Sequence, residues 1–217
     1  MRKSKIVTLF IALIAAFSLL SGGSIVQAEE GGHAHGGGHH GGGTIKGLVK
    51  TPWVKRYPAI VYVDHVDGTF PPPKENVFIG QSNLTFKPRI MPVLKGTTVD
   101  FTNDDNVVHN VFAPPGAAKE FNLGTYGVGV TKTETFDKLG EVPLLCNVHA
   151  EMDAFVVVLQ NPYYTLTDKK GNFEIKGVPA GSYKLKVWHE KLKEATQDVV
   201  VEAGKTASVK FKGLKKR

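Results

Sequence analysis

The sequence predicts an all-β fold built of β-sandwiches. After Gly43, segments rich in β-branched and aromatic residues alternate with short runs of Gly, Pro, Asn and Asp, which is the pattern of strands separated by turns. DKKGN at 168–172 is a turn signal between the strand-like segments YTLT and NFEI, as expected of a hairpin. No stretch keeps a helical period of apolar residues for more than a turn or two. We therefore expect layered sheets and almost no helix.

The first 43 residues indicate export followed by a leader. Arg2, Lys3 and Lys5 precede the apolar run 6–20, and VQA ends at Ala28, as in a cleaved signal peptide over 1–28. The run is too short to span a bilayer comfortably, so we expect no transmembrane segment in the mature chain and a periplasmic or extracellular location. The glycine-dense leader 29–43 cannot form a core. Its histidines offer auxiliary metal capture, with a plain tether as the alternative: His33, His35, His39 and His40.

Charge is distributed unevenly along the chain. The formal net charge is +7, yet 71–160 hold 7 Lys and Arg against 10 Asp and Glu, and 161–217 hold 13 against 6. An exported chain rarely meets nucleic acid, so we expect no nucleic-acid partner. One interpretation of the basic excess is a solvated lysine-rich face, and the other is contact with an anionic surface or an acidic partner.

Residues 146–152, CNVHAEM, contain the single cysteine of the chain together with a histidine and a methionine. Exported proteins usually pair their cysteines in disulfides, so an unpaired thiol in an oxidising compartment favours a metal as its partner. Upstream, His109 begins the strand-like HNVF after the polar turn TNDDN. Two loops can meet at one end of a sandwich. The loop before His109 would then lie against the loop that carries three further side chains, namely Cys146, His149 and Met152. Two imidazoles, a thiolate and a weak thioether are the ligands of a blue copper site.

These segments resemble the cupredoxins, the small blue copper electron carriers that include plastocyanin and amicyanin. The resemblance lies in FKPRIMPVLKGTTVDFTNDD, the HNV after it and GEVPLLCNVHAEM, over roughly 76–160, and the short Cys-x-x-His-x-x-Met loop is similar to that of amicyanin. It implies a Greek-key sandwich holding one type 1 copper. The implied ligands are His109, Cys146 and His149 in the equatorial plane and Met152 on the axis.

Two further positions are interpreted through the same resemblance. Asn110 matches the asparagine that ties the two ligand loops together by hydrogen bonds. Val148 departs from the proline that cupredoxins often have before this histidine, which leaves the ligands intact and loosens the loop.

A one-electron carrier is the function that the resemblance implies. Leu145 and Asn147 flank the cysteine where multicopper oxidases and nitrite reductases have histidines, so we expect no enzyme. A copper-delivery protein is the alternative, and a non-catalytic surface module with a residual copper site is a third possibility. The expected partner is a redox protein such as a cytochrome or a dehydrogenase. Carboxylates beside the ligands predict an acidic rim that favours a basic partner: Asp104, Asp105, Glu151 and Asp153.

Residues 163–190 resemble the carboxypeptidase regulatory-like, or prealbumin-like, fold. Its marks are a TD-x-x-G-x-F hairpin and the VPAGSYKLKV that follows, and they imply a smaller, non-catalytic β-sandwich. The earlier strands expected of this fold occur far upstream, as TIKGLV (44–49) and AIVYV (59–63). The combination of the two folds resembles bacterial exported plastocyanin-like proteins, some of which are labelled methylamine-utilisation proteins.

The separated halves of the second pattern predict a domain insertion. We expect a cupredoxin domain over 71–160 inserted into a host sandwich made of 44–70 and 161–217, with junctions in DGTFPPP and QNP. Two domains in series, 44–160 and 161–217, are the alternative.

Overall fold

The computed structural model describes residues 41–217, so the predicted signal peptide and the four leader histidines lie outside the described part of the chain. The described residues form strands, with one short 3-10 helix, which confirms the all-β prediction. Gly43, the last residue of the predicted leader, already belongs to the first strand. Within residues 41–217, no helix has the length and apolar character needed to cross a membrane.

The strands fall into three groups along the chain. Strands β1 (Gly43–Val49) and β2 (Ile60–Val63) flank the 3-10 helix Pro52–Lys55. A central group follows: β3 (Val77–Gln81), β4 (Phe86–Lys87), β5 (Ile90–Leu94), β6 (Thr97–Asn103), β7 (His109–Ala113), β8 (Phe121–Tyr126), β9 (Thr131–Phe136), β10 (Gly140–Leu145) and β11 (Asp153–Leu159). The last group is β12 (Tyr164–Leu166), β13 (Asn172–Val178), β14 (Gly181–Trp188), β15 (Ala195–Val201) and β16 (Thr206–Phe211).

The central group forms one sandwich, which we call the first sandwich. Its sheets have the orders β5-β11-β10-β7-β8 and β4-β3-β6-β9. Strand β6, TTVDFTN, shows why these segments form sheets, because its residues alternate between buried and half-buried positions along the whole strand. Val99 and Phe101 point inward to a core that also holds Phe136 and Leu144. Cys146 and Met152 belong to this same core cluster.

Strands from the two ends of the chain form the second sandwich. Its sheets have the orders β13-β1-β16 and β12-β2-β14-β15. Strand β1 lies between β13 and β16, and Gly47 explains how the three strands come so close. A Cβ atom on Gly47 would lie 2.0 Å from the Val209 carbonyl oxygen and 2.6 Å from the Phe173 ring, so only glycine fits.

The pairing of β1 and β2 bears on the domain boundaries. Both strands pair only with strands that follow residue 160, and their core residues Ile45 and Val61 cluster with Leu185. This connectivity supports our proposal that the first sandwich is inserted into the second. Whether each part folds by itself stays a prediction.

A separate apolar cluster joins the two sandwiches. Val157 and Leu159 alternate along β11 with core residues of the first sandwich, so they face outward. On the second sandwich, Ile60 and Trp188 likewise sit on the face opposite that sandwich's own core. The outer faces of one sheet from each sandwich therefore pack against each other.

Arg89 lies at the edge of this interface and bridges the sandwiches electrostatically. Its guanidinium pairs with Asp153 on the first sandwich and lies 2.8 Å from the Glu190 carboxylate on the second. The guanidinium also stacks 4.1 Å from the ring centre of Tyr57. The side chains of Arg89 and Glu190 are only 17% and 3% exposed, so each charge depends on the other for its stability.

A second polar contact lies further along the same interface. The Glu141 carboxylate accepts hydrogen bonds from Trp188 Nε1 at 2.7 Å and from the Arg217 guanidinium at 3.0 and 2.6 Å. Burial opposes the ionisation of Glu141, but the bonds from Arg217 and Trp188 outweigh it and lower its pKa. Glu141 is therefore an ionised anchor for the C-terminal residue.

The insertion predicts how fragments behave. A fragment of 71–160 should fold and give dispersed amide signals in NMR, because its core is complete within those residues. A fragment of 161–217 should remain unfolded, since it lacks β1 and β2, and should fold when 44–66 is supplied. A stably folded isolated 161–217 would overturn the insertion in favour of domains in series.

The Arg89 bridge predicts a stability effect. Arg89→Met leaves Glu190 buried without its cation, and we expect the free energy of unfolding to fall by about 3 kcal/mol in chemical denaturation. Arg56→Met is the matched control, because Arg56 also stacks on Tyr57 but is exposed and has no carboxylate partner among the described residues. It should change stability by less than about 0.5 kcal/mol. Equal effects of the two variants would contradict the bridge.

Candidate metal centre

The candidate ligands sit where strands begin and end at one edge of the first sandwich. His109 is the first residue of β7, and Cys146 directly follows β10, the antiparallel neighbour of β7. The loop from Cys146 to Met152 then returns the chain into β11. The pairing of β7 with β10 therefore brings the two segments together.

Three donor atoms converge in this region. A nitrogen of His109, the Cys146 Sγ and a nitrogen of His149 all lie within 4.8 Å of one another. His109 Nδ1 is 3.1 Å from His149 Nδ1, and Cys146 Sγ is 4.0 Å from the same His149 nitrogen. His109 is fully buried, Cys146 is 5% exposed, and His149 is half-buried.

The spacing of these atoms fits a single bound metal ion. Metal–imidazole and metal–thiolate bonds are roughly 2.0 and 2.3 Å long. One ion can therefore reach both nitrogens across 3.1 Å, and can reach the sulfur and a nitrogen across 4.0 Å. Two imidazoles and one thiolate suit copper or zinc, and they exclude the oxygen-preferring ions calcium and magnesium.

A carboxylate fixes the orientation of the His109 ring from the Nε2 side, opposite the nitrogen that faces His149. Asp105 Oδ2 lies 2.9 Å from His109 Nε2. An ionised carboxylate accepts a hydrogen bond, so this contact places the ring proton on Nε2 and leaves the Nδ1 lone pair directed toward Cys146 and His149. Asp105 thus selects the tautomer that a metal requires.

Asp105 is itself held by a neighbouring turn. Its carboxylate accepts the backbone N–H groups of Asn83 at 2.7 Å and Leu84 at 3.0 Å. Both of these residues have positive φ, at 55° and 54°, a conformation that the carboxylate stabilises by accepting their amides. Burial opposes ionisation, but the hydrogen bonds from Leu84, His109 and Asn83 together lower the Asp105 pKa.

Asn103 organises the loop that leads into His109. Its side-chain nitrogen donates to the carbonyls of Val107 at 2.9 Å and Tyr126 at 3.1 Å, and its side-chain oxygen accepts the Asp105 N–H at 3.0 Å. Asn103 is fully buried, so these bonds are shielded from water. They fix the loop that carries Asp105 to the ligand histidine.

Asn110 connects the two ligand segments by a hydrogen bond from its backbone. Its backbone N–H, rather than its side chain, donates to Cys146 Sγ at 3.4 Å. Its side chain turns toward β8 and donates to Asn122 at 2.8 Å. The side-chain oxygen of Asn110 has no hydrogen-bond partner among the described residues. The link to the sulfur therefore does not require an asparagine side chain.

Met152 lies at the foot of the ligand loop. Its backbone N–H donates to the His149 carbonyl at 3.1 Å, which closes the turn between them. The side chain is fully buried in the same core cluster as Cys146. Its role as an axial ligand remains a proposal.

The roles of Asn103 and Asp105 could not be assigned from the sequence. An Asn or Asp before a loop is a signal for side-chain hydrogen bonds to the backbone, and the TNDDN segment carries that signal. The signal does not say which of the four Asn and Asp side chains turns toward His109. That choice depends on the 82–85 turn, which another part of the chain contributes.

Comparison with known proteins gives two kinds of similarity. The model of the carboxypeptidase regulatory-like domain family matches residues 152–212. This match includes β11, which pairs with strands of the first sandwich, and omits β1 and β2, which complete the second. A search of curated protein sequences found no match.

Among solved structures, the chain is similar to copper proteins. A reduced Cu(I) form of an amicyanin variant is 22% identical, with a TM-score of 0.37, over 40% of this chain and 84% of that one. A purple cupredoxin from Nitrosopumilus maritimus is 24% identical, with a TM-score of 0.35, over 38% and 99%. A copper-containing nitrite reductase from Thermus scotoductus is 21% identical, with a TM-score of 0.39, over 53% and 28%.

Similarity at these identities and TM-scores does not transfer a function to this chain. What can be said of the site follows from its own atoms. The chain thus combines a match to the carboxypeptidase regulatory-like domain family over residues 152–212 with a candidate His–Cys–His metal centre in an all-β fold.

Proposed function

We propose that the protein is an exported type 1 copper protein that carries one electron at a time. The observation that supports this most strongly is the convergence of His109, Cys146 and His149, whose donor atoms lie within 4.8 Å of one another. Thiolate and imidazole together are the ligand set that suits copper in both of its common oxidation states. The signal-like N-terminus and the unpaired cysteine agree with a metalloprotein outside the cytoplasm.

Strand ends hold two of the candidate ligands in place, because His109 begins β7 and Cys146 directly follows β10. When bound, copper supplies a centre that changes between Cu(I) and Cu(II) by a single electron. His109 is held by Asp105, and the Cys146 sulfur accepts the Asn110 N–H, so neither side chain is free to rotate. Ligands that cannot move favour electron transfer with little rearrangement, and they disfavour release of the metal.

His149 offers the route by which an electron leaves the site. It is the ligand with partial exposure. The segments that lead into His109 and His149, and the turns hydrogen-bonded to the first of them, present apolar side chains to solvent. A partner can exclude water there and approach the imidazole edge closely. These exposed side chains, which we call the apolar rim, are Leu84, Val107, Val108, Val128, Val130 and Val148.

The acidic rim expected from the sequence is largely used within the protein. Asp105 binds the ligand histidine behind it, and Asp153 pairs with Arg89. Only Asp104 and Glu151 remain exposed beside the site. Two of the four carboxylates are therefore engaged by cationic or imidazole side chains, which weakens the support for docking to a basic partner.

Two competing functions receive less support from the structure. A copper-delivery protein needs ligands that a recipient can reach, whereas His109 is fully buried and Cys146 is 5% exposed. An oxidase or nitrite reductase needs a route to a second copper, and the residues beside the cysteine, Leu145 and Asn147, are not metal ligands. We therefore propose a non-catalytic carrier whose partner is a redox protein such as a cytochrome or a dehydrogenase.

Substitutions of the ligands predict distinct spectra. Cys146→Ser should abolish the visible absorption band of the copper-loaded protein, since that band arises from the thiolate. Met152→Leu should keep the copper and the band while shifting the reduction potential, because an axial thioether bonds weakly. Met91→Leu, outside the ligand loop, is the matched control and should change neither. Copper loss in Met152→Leu together with full copper retention in Cys146→Ser would contradict these roles.

The Asp105 contact predicts a change in metal affinity. Asp105→Asn weakens the hydrogen bond that fixes the His109 tautomer, and we expect copper affinity to fall about 10–100-fold in competition with a chelator. Asp104→Asn is the matched control, because Asp104 is exposed and does not contact a ligand. If both variants bind copper like the unmodified protein, the carboxylate has no part in holding the site.

A further inference from the structure

Three segments at one end of the second sandwich form a continuous surface. Segment 50–57 joins 211–217 through the Lys50 N–H, which donates to the Phe211 carbonyl at 2.9 Å. Segment 191–193 joins the same tail, because the Lys193 N–H donates to the Lys215 carbonyl at 2.9 Å. The exposed cations of these segments, which we call the basic surface, are Lys50, Lys55, Arg56, Lys191, Lys193, Lys212, Lys215 and Lys216.

The positive charge of the basic surface is not neutralised within the described residues. Apart from Lys191, which lies 3.9 Å from Glu190, none of these cations has a carboxylate within 4.0 Å. The acids nearby are engaged elsewhere: Glu190 pairs with Arg89, Glu194 with Lys186, and Glu141 with Arg217. Like charges this close repel one another, so the fold gains no stability from collecting them here.

One edge of the basic surface reaches the metal loop. The Tyr57 ring is close to two guanidiniums, with Arg56 at 5.3 Å and Arg89 at 4.1 Å from its centre. Arg89 pairs in turn with Asp153, the residue directly after Met152. These contacts of Tyr57 and Arg89 therefore connect the Arg56 end of the basic surface to the loop that carries Cys146 and His149.

We propose that the basic surface is the electrostatic part of a docking site for an acidic protein partner that exchanges electrons at His149. This inference rests on the proposed function and names the charge of the partner. A partner that has both carboxylates and an apolar contact area complements the basic surface and the apolar rim together. The second sandwich thus serves to recruit the partner, in addition to packing against the first.

A protein partner fits better than an anionic bilayer. Stable binding of a folded domain to a bilayer combines cations with apolar side chains that enter the lipid. The basic surface has a single large apolar side chain that is exposed, Trp53, and the Lys216 ammonium lies over its ring at 5.8 Å. The other exposed apolar side chains near the site belong to the apolar rim, where contact with a partner brings that partner close to the His149 imidazole.

The test uses the full copper-loaded chain with small redox probes of opposite charge. The reduced protein gives one electron to hexacyanoferrate(III), which becomes hexacyanoferrate(II), and in parallel to a cationic tris(phenanthroline)cobalt(III) complex, which becomes cobalt(II). We expect the anionic probe to react more slowly as ionic strength rises. Lys55→Glu, Arg56→Glu and Lys193→Glu together reverse three charges of the basic surface, and we call this combination the Tyr57-side variant. It should slow the anionic probe about tenfold and accelerate the cationic one.

A matched control separates the local effect from net charge. Lys74→Glu, Lys95→Glu and Lys138→Glu change the total charge equally, and they lie at the opposite end of the first sandwich from the metal loop. This control should alter either rate by less than about twofold. Equal rates for the two triple variants would overturn the proposal.

Binding measurements without copper distinguish the remaining outcomes. We expect polyglutamate to bind the metal-free protein, and we expect this binding to weaken at least tenfold in the Tyr57-side variant only. If that variant instead loses binding only to phosphatidylglycerol vesicles, with polyglutamate binding and probe rates unchanged, the surface serves a membrane and the proposal is wrong. A protein that takes up no copper would contradict the proposed function, while the polyglutamate result would still report on the surface.

Discussion

Strands β7 and β10 lie side by side in the five-stranded sheet, and the rest of the candidate site depends on that pairing. It brings the start of one strand to the end of the other, so that the Asn110 N–H reaches Cys146 Sγ at 3.4 Å. A buried thiol at this position cannot pair with another cysteine, because the chain has only one. The two imidazoles beside it complete a set of donors suited to a soft metal ion.

The site is supported by layers of contacts that extend well beyond the ligands. Asp105 orients His109, and the turn at Asn83 and Leu84 in turn holds Asp105. On the other side, Arg89 links the residue after Met152 to Glu190 on the second sandwich. The second sandwich is therefore connected to the metal loop through a buried charge.

Much of this organisation could be predicted from the sequence because it is encoded locally. Alternating strands and turn residues predict the all-β fold, and the CNVHAEM segment and the HNVF strand point to the residues that converge. The supporting contacts could not be predicted, since each joins segments far apart in the chain. Asp105 was expected to form part of an acidic rim but binds His109. The hydrogen bonds predicted for Asn110 could not be assigned to its backbone N–H, because that atom reaches the Cys146 sulfur through the pairing of β7 with β10.

The basic surface is a second feature that could not be predicted from the sequence. The sequence reveals an excess of Lys and Arg after residue 160, but not that the cations at 50–56 join those at 191–193 and 212–217. Nor does it reveal that Tyr57 and Arg89 connect this surface to the metal loop. The backbone N–H groups of Lys50 and Lys193 donate hydrogen bonds to Phe211 and Lys215, and these bonds create that proximity.

The central claim is that one copper ion is held by a thiolate and two imidazoles and changes oxidation state reversibly. The visible absorption spectrum of the copper-loaded full chain, recorded together with the copper content, tests it most directly. We expect one copper per chain and an intense visible thiolate-to-copper band that disappears on reduction and returns on reoxidation. A colourless protein that binds only Cu(I), or one that binds no copper, would contradict it.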